Sequence, residues 1–214
     1  MRTSLGSNEP GTTPPAGIAR TVQPGAPRRS QRDRLLDGMA YTVARRGYAA
    51  TPVAEVLKAA GVSRRTFYEQ FADKEDCFLA AYDAFVARCT ERLLAGYHAG
   101  AGWEDGIGRA YAALLGTLAA EPDYAHLGVV GVLGAGPPAL ARREAVLRRF
   151  ARFIEYTRER ADTAVRPPRL VGQAIVGGIH ELVYSRIVRG EAHGLPELAG
   201  ELEHYTFMLL GVAP

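Results

Sequence analysis

The chain has 214 residues, 47% of them hydrophobic, which suits one large domain or two small ones with a real core. No apolar run approaches the length of a membrane span and no signal-peptide pattern opens the chain, so membrane and secreted classes are not expected. The formal charge of +3 hides an asymmetry: residues 1–76 carry 12 Lys/Arg against 8 Asp/Glu, and residues 77–214 carry 14 against 15. The positive excess thus belongs to the first third, as binding to a polyanion requires.

Residues 1–28 are rich in Gly, Pro, Ser and Thr and nearly free of large apolar residues. The composition predicts a disordered tail. Its basic end, from Pro27 through Arg28 and Arg29 to Arg32, abuts the first predicted helix, Ser30 to Arg46. An arm touching phosphates or the minor groove and a solubilising tail both fit.

The segment from Thr51 to Phe71, TPVAEVLKAAGVSRRTFYEQF, is the most informative in the chain. It reads as two short helices joined by a tight turn at Gly61-Val62-Ser63, the spacing of a helix-turn-helix. Thr51 is an N-cap type and Pro52 suits the first helical position. Gly61 fits a helix end with left-handed φ, and Ser63 can cap the second helix. Phe67 and Phe71 then face inward. Arg64, Arg65, Thr66, Tyr68 and Gln70 remain outside, and these side chains suit base edges, thymine methyls and phosphates. An ordinary helical hairpin is the plain alternative. The combined caps, turn glycine and basic leading edge favour DNA.

On these residues, and most specifically on GVSRRTFYEQFADKE, the chain resembles the TetR family of bacterial transcriptional regulators over residues 30–85. Beyond about residue 90 the likeness rests on helix order and length. Leu57 departs from the usual helix-turn-helix pattern, which has a small residue four places before the turn glycine, so the two helices are expected slightly further apart or at a shifted angle. The resemblance implies phosphate contacts by Thr51, Tyr68 and Lys74, a homodimer, and a small-molecule effector.

After the motif, a long helix is predicted from Lys74 to Tyr97, then a Gly-rich break at 99–102. Further helices follow from Trp103 to Ala120, from Pro122 to Leu133, and from Leu140 to Ala164, the last with Val146, Leu147, Phe150, Phe153, Ile154 and Thr157 on one side. Arg169 to Val188 and Pro196 to Leu210 complete an all-α fold of nine helices, three plus six. The domain expectation is a tail at 1–28, a DNA-binding domain at 29–73, and an effector-binding and dimerisation domain at 74–214. Cys77 and Cys89 lie on one helix about 18 Å apart, so they cannot pair, and a reduced cytoplasmic protein is expected.

The last two helices are unusually apolar, and the former holds Gly172, Gly177 and Gly178. Two such helices from each protomer would form a four-helix interface, while burial within one protomer is the alternative. A two-fold dimer would read a palindromic operator. Aromatic and polar residues on the intervening helices suggest a pocket lined by Trp103, Tyr111, Tyr124, His126, Phe150, Phe153, His180, Glu181 and Tyr184. Its expected volume is on the order of 300–1,000 Å³. The five histidines are scattered without metal-ligand spacing, no Gly-rich run has a phosphate-loop pattern, and no nucleophile motif occurs. No metal, cofactor or catalytic residue is therefore expected. The chain reads as a DNA-binding repressor released by a largely apolar molecule. A regulator without an effector is the alternative, and an enzyme or carrier using the helical pocket comes third.

Overall fold

A computed structural model describes residues 29–159 and 167–212. The described residues contain nine α-helices and no strand. The expected tail at 1–28, with Arg28, and the expected helix end near Ala164 lie outside them.

Helix α1 spans Gln31–Arg46 and opens on a full capping box between Ser30 and Asp33. Its apolar stripe of Leu35, Leu36, Met39 and Val43 is buried. Helices α2 (Val53–Ala60) and α3 (Arg64–Gln70) follow at the expected turn. Gly61 closes α2 in the left-handed region at φ 63°, a conformation that favours glycine. The Ser63 hydroxyl accepts from the Thr66 amide at 3.1 Å and starts α3. Phe67 and Phe71 fill the space beneath it.

Thr51 does not cap α2. It is fully buried, and its hydroxyl donates to the Gly47 carbonyl at 2.8 Å, back into the preceding loop. Leu57 causes no visible gap, because it packs half-buried against the same core. The close approach lies elsewhere. A Cβ at Gly38 of α1 would stand 2.9 Å from the Val56 carbonyl oxygen, so only glycine lets α1 and α2 cross here.

Helix α4 (Lys74–His98) begins at Asp73, whose carboxylate accepts from the Asp76 amide at 2.8 Å. It joins two apolar cores. Cys77, Phe78, Ala81 and Tyr82 belong to the core under α1–α3, with Leu127, Val132 and Ala139 contributed by later helices. Phe85 and Cys89 belong to a second core built with α5 (Trp103–Ala120), α8 (Val171–Val188) and α9 (Ala199–Leu210). Helix α6 (Pro122–Val129) is shorter than expected, since the chain tightens into a 3₁₀ turn over Gly131–Gly134. Helix α7 starts at Pro137, where proline suits the first turn, and ends at Arg158.

The glycines of α8 divide in role. A Cβ at Gly172 would lie 2.8 Å from the Ala151 carbonyl oxygen, and one at Gly178 would lie 2.6 Å from the Tyr205 hydroxyl. Both therefore serve packing within the protomer, whereas nothing lies within 4 Å of a Cβ at Gly177. In the single chain each of the two final helices has an exposed side. Gln173, Ala174, Gly177, Glu181 and Leu182 of α8 are exposed, as are Glu201, His204 and Met208 of α9. Ile175 faces the protomer's own core, fully buried.

Candidate nucleic-acid interface and effector cavity

The helix-turn-helix is held from behind by two arginines of α1. The Arg34 guanidinium donates to the carbonyls of Ala60 (3.4 Å) and Gly61 (3.2 Å), the open end of α2. Arg32 donates to the Gln70 carbonyl at 3.3 Å and stacks over Phe71, 4.5 Å from the ring centre. A cation at a helix C-terminus satisfies carbonyls that lack partners and complements the helix dipole. Sequence inspection missed these roles, because basic residues on an amphipathic helix ordinarily read as solvated surface.

On the outer side of α3, Arg64, Arg65, Tyr68 and Gln70 are exposed and Thr66 is half-buried. Arg65 has a side chain 90% exposed and only Glu69 as partner, at 2.8 Å one turn on. A pair this exposed is worth little, so the arginine is available to another acceptor. Ser63 spends its oxygen on the cap and meets the Thr66 hydroxyl at 2.9 Å. Lys74 docks on Tyr48, donating to its carbonyl at 3.1 Å with the ammonium 4.1 Å from the ring centre. Arg29 is folded back onto α1, paired with Asp37. A hydroxyl contact from Thr51 to phosphate is not compatible with its burial and its bond to Gly47.

In the C-terminal part, α4, α5, α6, α7 and α8 line a partly open cavity of about 130 Å³. It is smaller than the expected range, and Phe85, Leu93, Phe150, Phe153 and Ile179 are among its lining residues. Four of the nine expected residues line it: Tyr111, Phe150, Phe153 and His180. The other five do not. Trp103 packs edge-on against Phe207 at 5.5 Å. Tyr124 stacks on the far side of Phe85 at 5.7 Å and donates its hydroxyl to Asp37 at 3.0 Å. Glu181 is exposed, and Tyr184 packs half-buried against the C-terminal core. His126 lies on α6 away from the lining, its Nδ1 buried without a hydrogen-bond partner among the described residues. A hydrophobic period gives the buried side of a helix but not its rotational phase relative to one cavity.

Tyr82, Arg143 and His180 line the cavity with Cys89 and with Tyr111, whose hydroxyl is taken by Thr206 at 2.7 Å. His180 was expected there, whereas Arg143 was not. Arg143 approaches it, with Nη2 3.4 Å from His180 Nδ1, and the buried Arg143 Nε has no hydrogen-bond partner among the described residues. Burial and the neighbouring guanidinium hold His180 down at about 4, so it is neutral at physiological pH. Burial pushes the Tyr82 hydroxyl up to about 12, and the Cys89 thiol likewise to about 12. The buried thiols are therefore poor nucleophiles.

The cavity and the DNA-binding helices share a wall. Phe85 lines the cavity and stacks on Tyr124 of α6, which reaches Asp37 of α1. Arg88 clamps this junction, its fork on Glu121 at 2.6 and 3.2 Å and its plane 4.5 Å from the Tyr124 ring centre. Arg45 of α1 adds a second link, to Asp123 of α6 at 3.0 Å. Close packing completes it, since a Cβ at Gly131 would sit 2.7 Å from a Val43 methyl.

Comparison with known proteins agrees with this geometry. The model of the bacterial regulatory proteins of the tetR family matches residues 35–81, which cover most of α1, the helix-turn-helix and the start of α4. The HTH-type transcriptional repressor ComR of Escherichia coli (strain K12) is 34% identical over 64 residues, 30% of this chain and 30% of ComR. The whole fold resembles the fatty acid degradation regulator FadR of Bacillus halodurans, with a TM-score of 0.75 and 20% identity, over 86% of this chain and 97% of that one. It also resembles the transcriptional regulator FadR of Bacillus subtilis, solved in complex with stearoyl-CoA, with a TM-score of 0.71 and 16% identity over 85% and 99% of the two chains. Residues 35–81 thus match the helix-turn-helix model of the tetR family, and the chain as a whole shares its fold with the two FadR regulators.

Proposed function

We propose that the chain is a cytoplasmic, homodimeric, sequence-specific DNA-binding repressor that leaves a palindromic operator when a largely apolar small molecule occupies the cavity. One observation carries the reading. An exposed recognition helix with Arg64, Arg65, Tyr68 and Gln70 is braced by α1, and α1 is tied through Tyr124 and Phe85 to the wall of an apolar cavity. A molecule that moves Phe85 must disturb Tyr124 and hence the seat of α1. Linkage requires DNA to weaken that molecule's binding by the same factor.

The exposed small and apolar residues of α8 and α9, notably Gly177, Leu182 and Met208, support a two-fold helix-packed interface. The domain roles proposed are DNA binding for residues 29–73 and effector binding with dimerisation for 74–214. Stearoyl-CoA in the Bacillus subtilis FadR structure supports an effector with a hydrocarbon part. A second reading, a regulator without an effector, is favoured by the cavity's volume of only about 130 Å³. A thermal-shift screen of apolar acids, alcohols and thioesters, followed by operator-release assays on the hits, decides between them. Hits that stabilise the protein and release DNA support the first reading, and a complete absence of hits supports the second.

A further inference from the structure

Three polar residues of the cavity, Tyr82, Arg143 and His180, gather at one end. Helices α4 and α7 run the same way along it: Asp83 pairs with Arg142 near their starts, and Tyr97 meets Phe153 further on with ring centres 5.1 Å apart. Helix α8 runs back, so that Gly172 lies by Ala151 and His180 by Arg143. Tyr82, Arg143 and His180 therefore mark one pole, and Leu93, Phe150 and Phe153 the other. Tyr82 also belongs to the core under α1–α3, so the polar pole is the one nearest the DNA-binding helices.

That pole offers donors and no counter-charge. Among the described residues no Asp or Glu lines the cavity, and Arg143 is the only charged one that does. Arginine stays protonated, and Arg143, half-buried overall, has its Nε buried without an acceptor among the described residues, which is costly. Its one described neighbour is a neutral imidazole at 3.4 Å, a long contact for a charged donor. With His180 Nδ1 turned to that donor, the ring proton belongs on Nε2, which supplies a further N–H. The Tyr82 hydroxyl stays protonated. A carboxylate is the group that completes this set, since it can accept two parallel bonds from a guanidinium fork.

We infer that the cavity selects a small carboxylic acid, with the carboxylate on Arg143 at the DNA-proximal pole and the apolar body against Leu93, Phe150 and Phe153. The inference rests on the reading of this cavity as an effector site. A dry cavity of roughly 150 Å³ holds a benzene-sized molecule, so the volume of about 130 Å³ takes the carboxylate and first few carbons of an acid, and a chain as long as octanoate must part the apolar lining.

The test uses the full-length protein and calorimetry with octanoate, octan-1-ol and octanoyl-CoA. Octanoate should bind at least about tenfold more tightly than octan-1-ol, the scale of one charge-assisted contact. Arg143→Gln should remove that preference, and His180→Phe, a second variant that keeps the guanidinium, should reduce it severalfold. Equal affinity for acid and alcohol, no binding of either, or a preference that survives Arg143→Gln would each overturn the inference. So would octanoyl-CoA binding more tightly than octanoate, because the thioester carries no charge at this pole. Selected operator DNA is titrated with the same unliganded preparation. Operator binding without acid preference defeats this inference alone, whereas acid binding through Arg143 without any operator leaves it standing and defeats the regulator reading.

Discussion

The Tyr124 hydroxyl donates to the Asp37 carboxylate at 3.0 Å, joining α6 to α1 across the junction of the two cores. The same carboxylate holds Arg29. The ring of Tyr124 lies between Phe85 and the Arg88 guanidinium, so one side chain touches the cavity wall, the ionic clamp and the first helix. Tyr124→Phe keeps the stack and removes the bond. It should lower stability by about 1–2 kcal/mol, the scale of a half-buried hydrogen bond to a charged group. It should also weaken the effect of a bound effector on operator affinity. Denaturant unfolding gives the first quantity, and operator titration with and without effector gives the second.

Arg65 is held only by Glu69. Arg65→Ala should cost about 1–3 kcal/mol of operator affinity and relax base preference at one position per half-site. Glu69→Ala should leave binding intact or strengthen it, since it releases the guanidinium. Gel-shift titrations on operator and on scrambled DNA separate the outcomes. Equal loss on both DNAs assigns Arg65 to phosphate instead.

Lys74 has two duties if it meets phosphate. Its ammonium caps the Tyr48 carbonyl and covers the Tyr48 ring. Lys74→Ala should lower the salt-dependence slope of binding by about one unit. It should also lower the melting temperature by more than an ordinary surface change does. A variant that melts earlier with an unchanged salt slope would assign the lysine to the fold alone.

The interface is best probed at exposed positions. Leu182→Glu or Met208→Glu should give folded monomers with collapsed operator affinity, because both side chains are exposed in the single chain. Ile175→Glu should unfold the protomer instead, since Ile175 is fully buried in it. Sedimentation velocity with circular dichroism distinguishes the two behaviours.

His180 makes stability depend on pH. Its folded-state value of about 4 lies below the ordinary 6.5, so the unfolded chain binds the proton first. Stability is therefore full above about pH 6.5 and falls as pH drops toward 4. His126, also held down by burial, acts in the same direction. His180→Phe should flatten the slope of melting temperature against pH in that window.

Much of this was legible in the sequence because the signals were local. Ser30, Gly61, Ser63 and Asp73 act within a few residues, and each closes or opens a helix as its chemistry requires. Thr51 misled because a capping residue type was assigned from its neighbours, while its side chain is taken by a loop carbonyl and by burial. The cavity was only partly legible. Phe150 and Phe153 followed from the apolar side of α7, but Arg143, one turn before Leu147, looked like part of the charged face. Tyr124 and Trp103 were assigned to the pocket as aromatics on flanking helices. Which way each turns is set by Phe85, Asp37 and Phe207, contacts distant in sequence.

The central claim is that this chain reads a specific, two-fold symmetric DNA site through α3. Selection of binding sites from random duplex DNA with the full-length protein tests it most directly. The account predicts one enriched palindrome, bound by a dimer and lost on Arg64→Ala with Arg65→Ala. Enrichment of no sequence above background, or of an asymmetric site bound by a monomer, would contradict it.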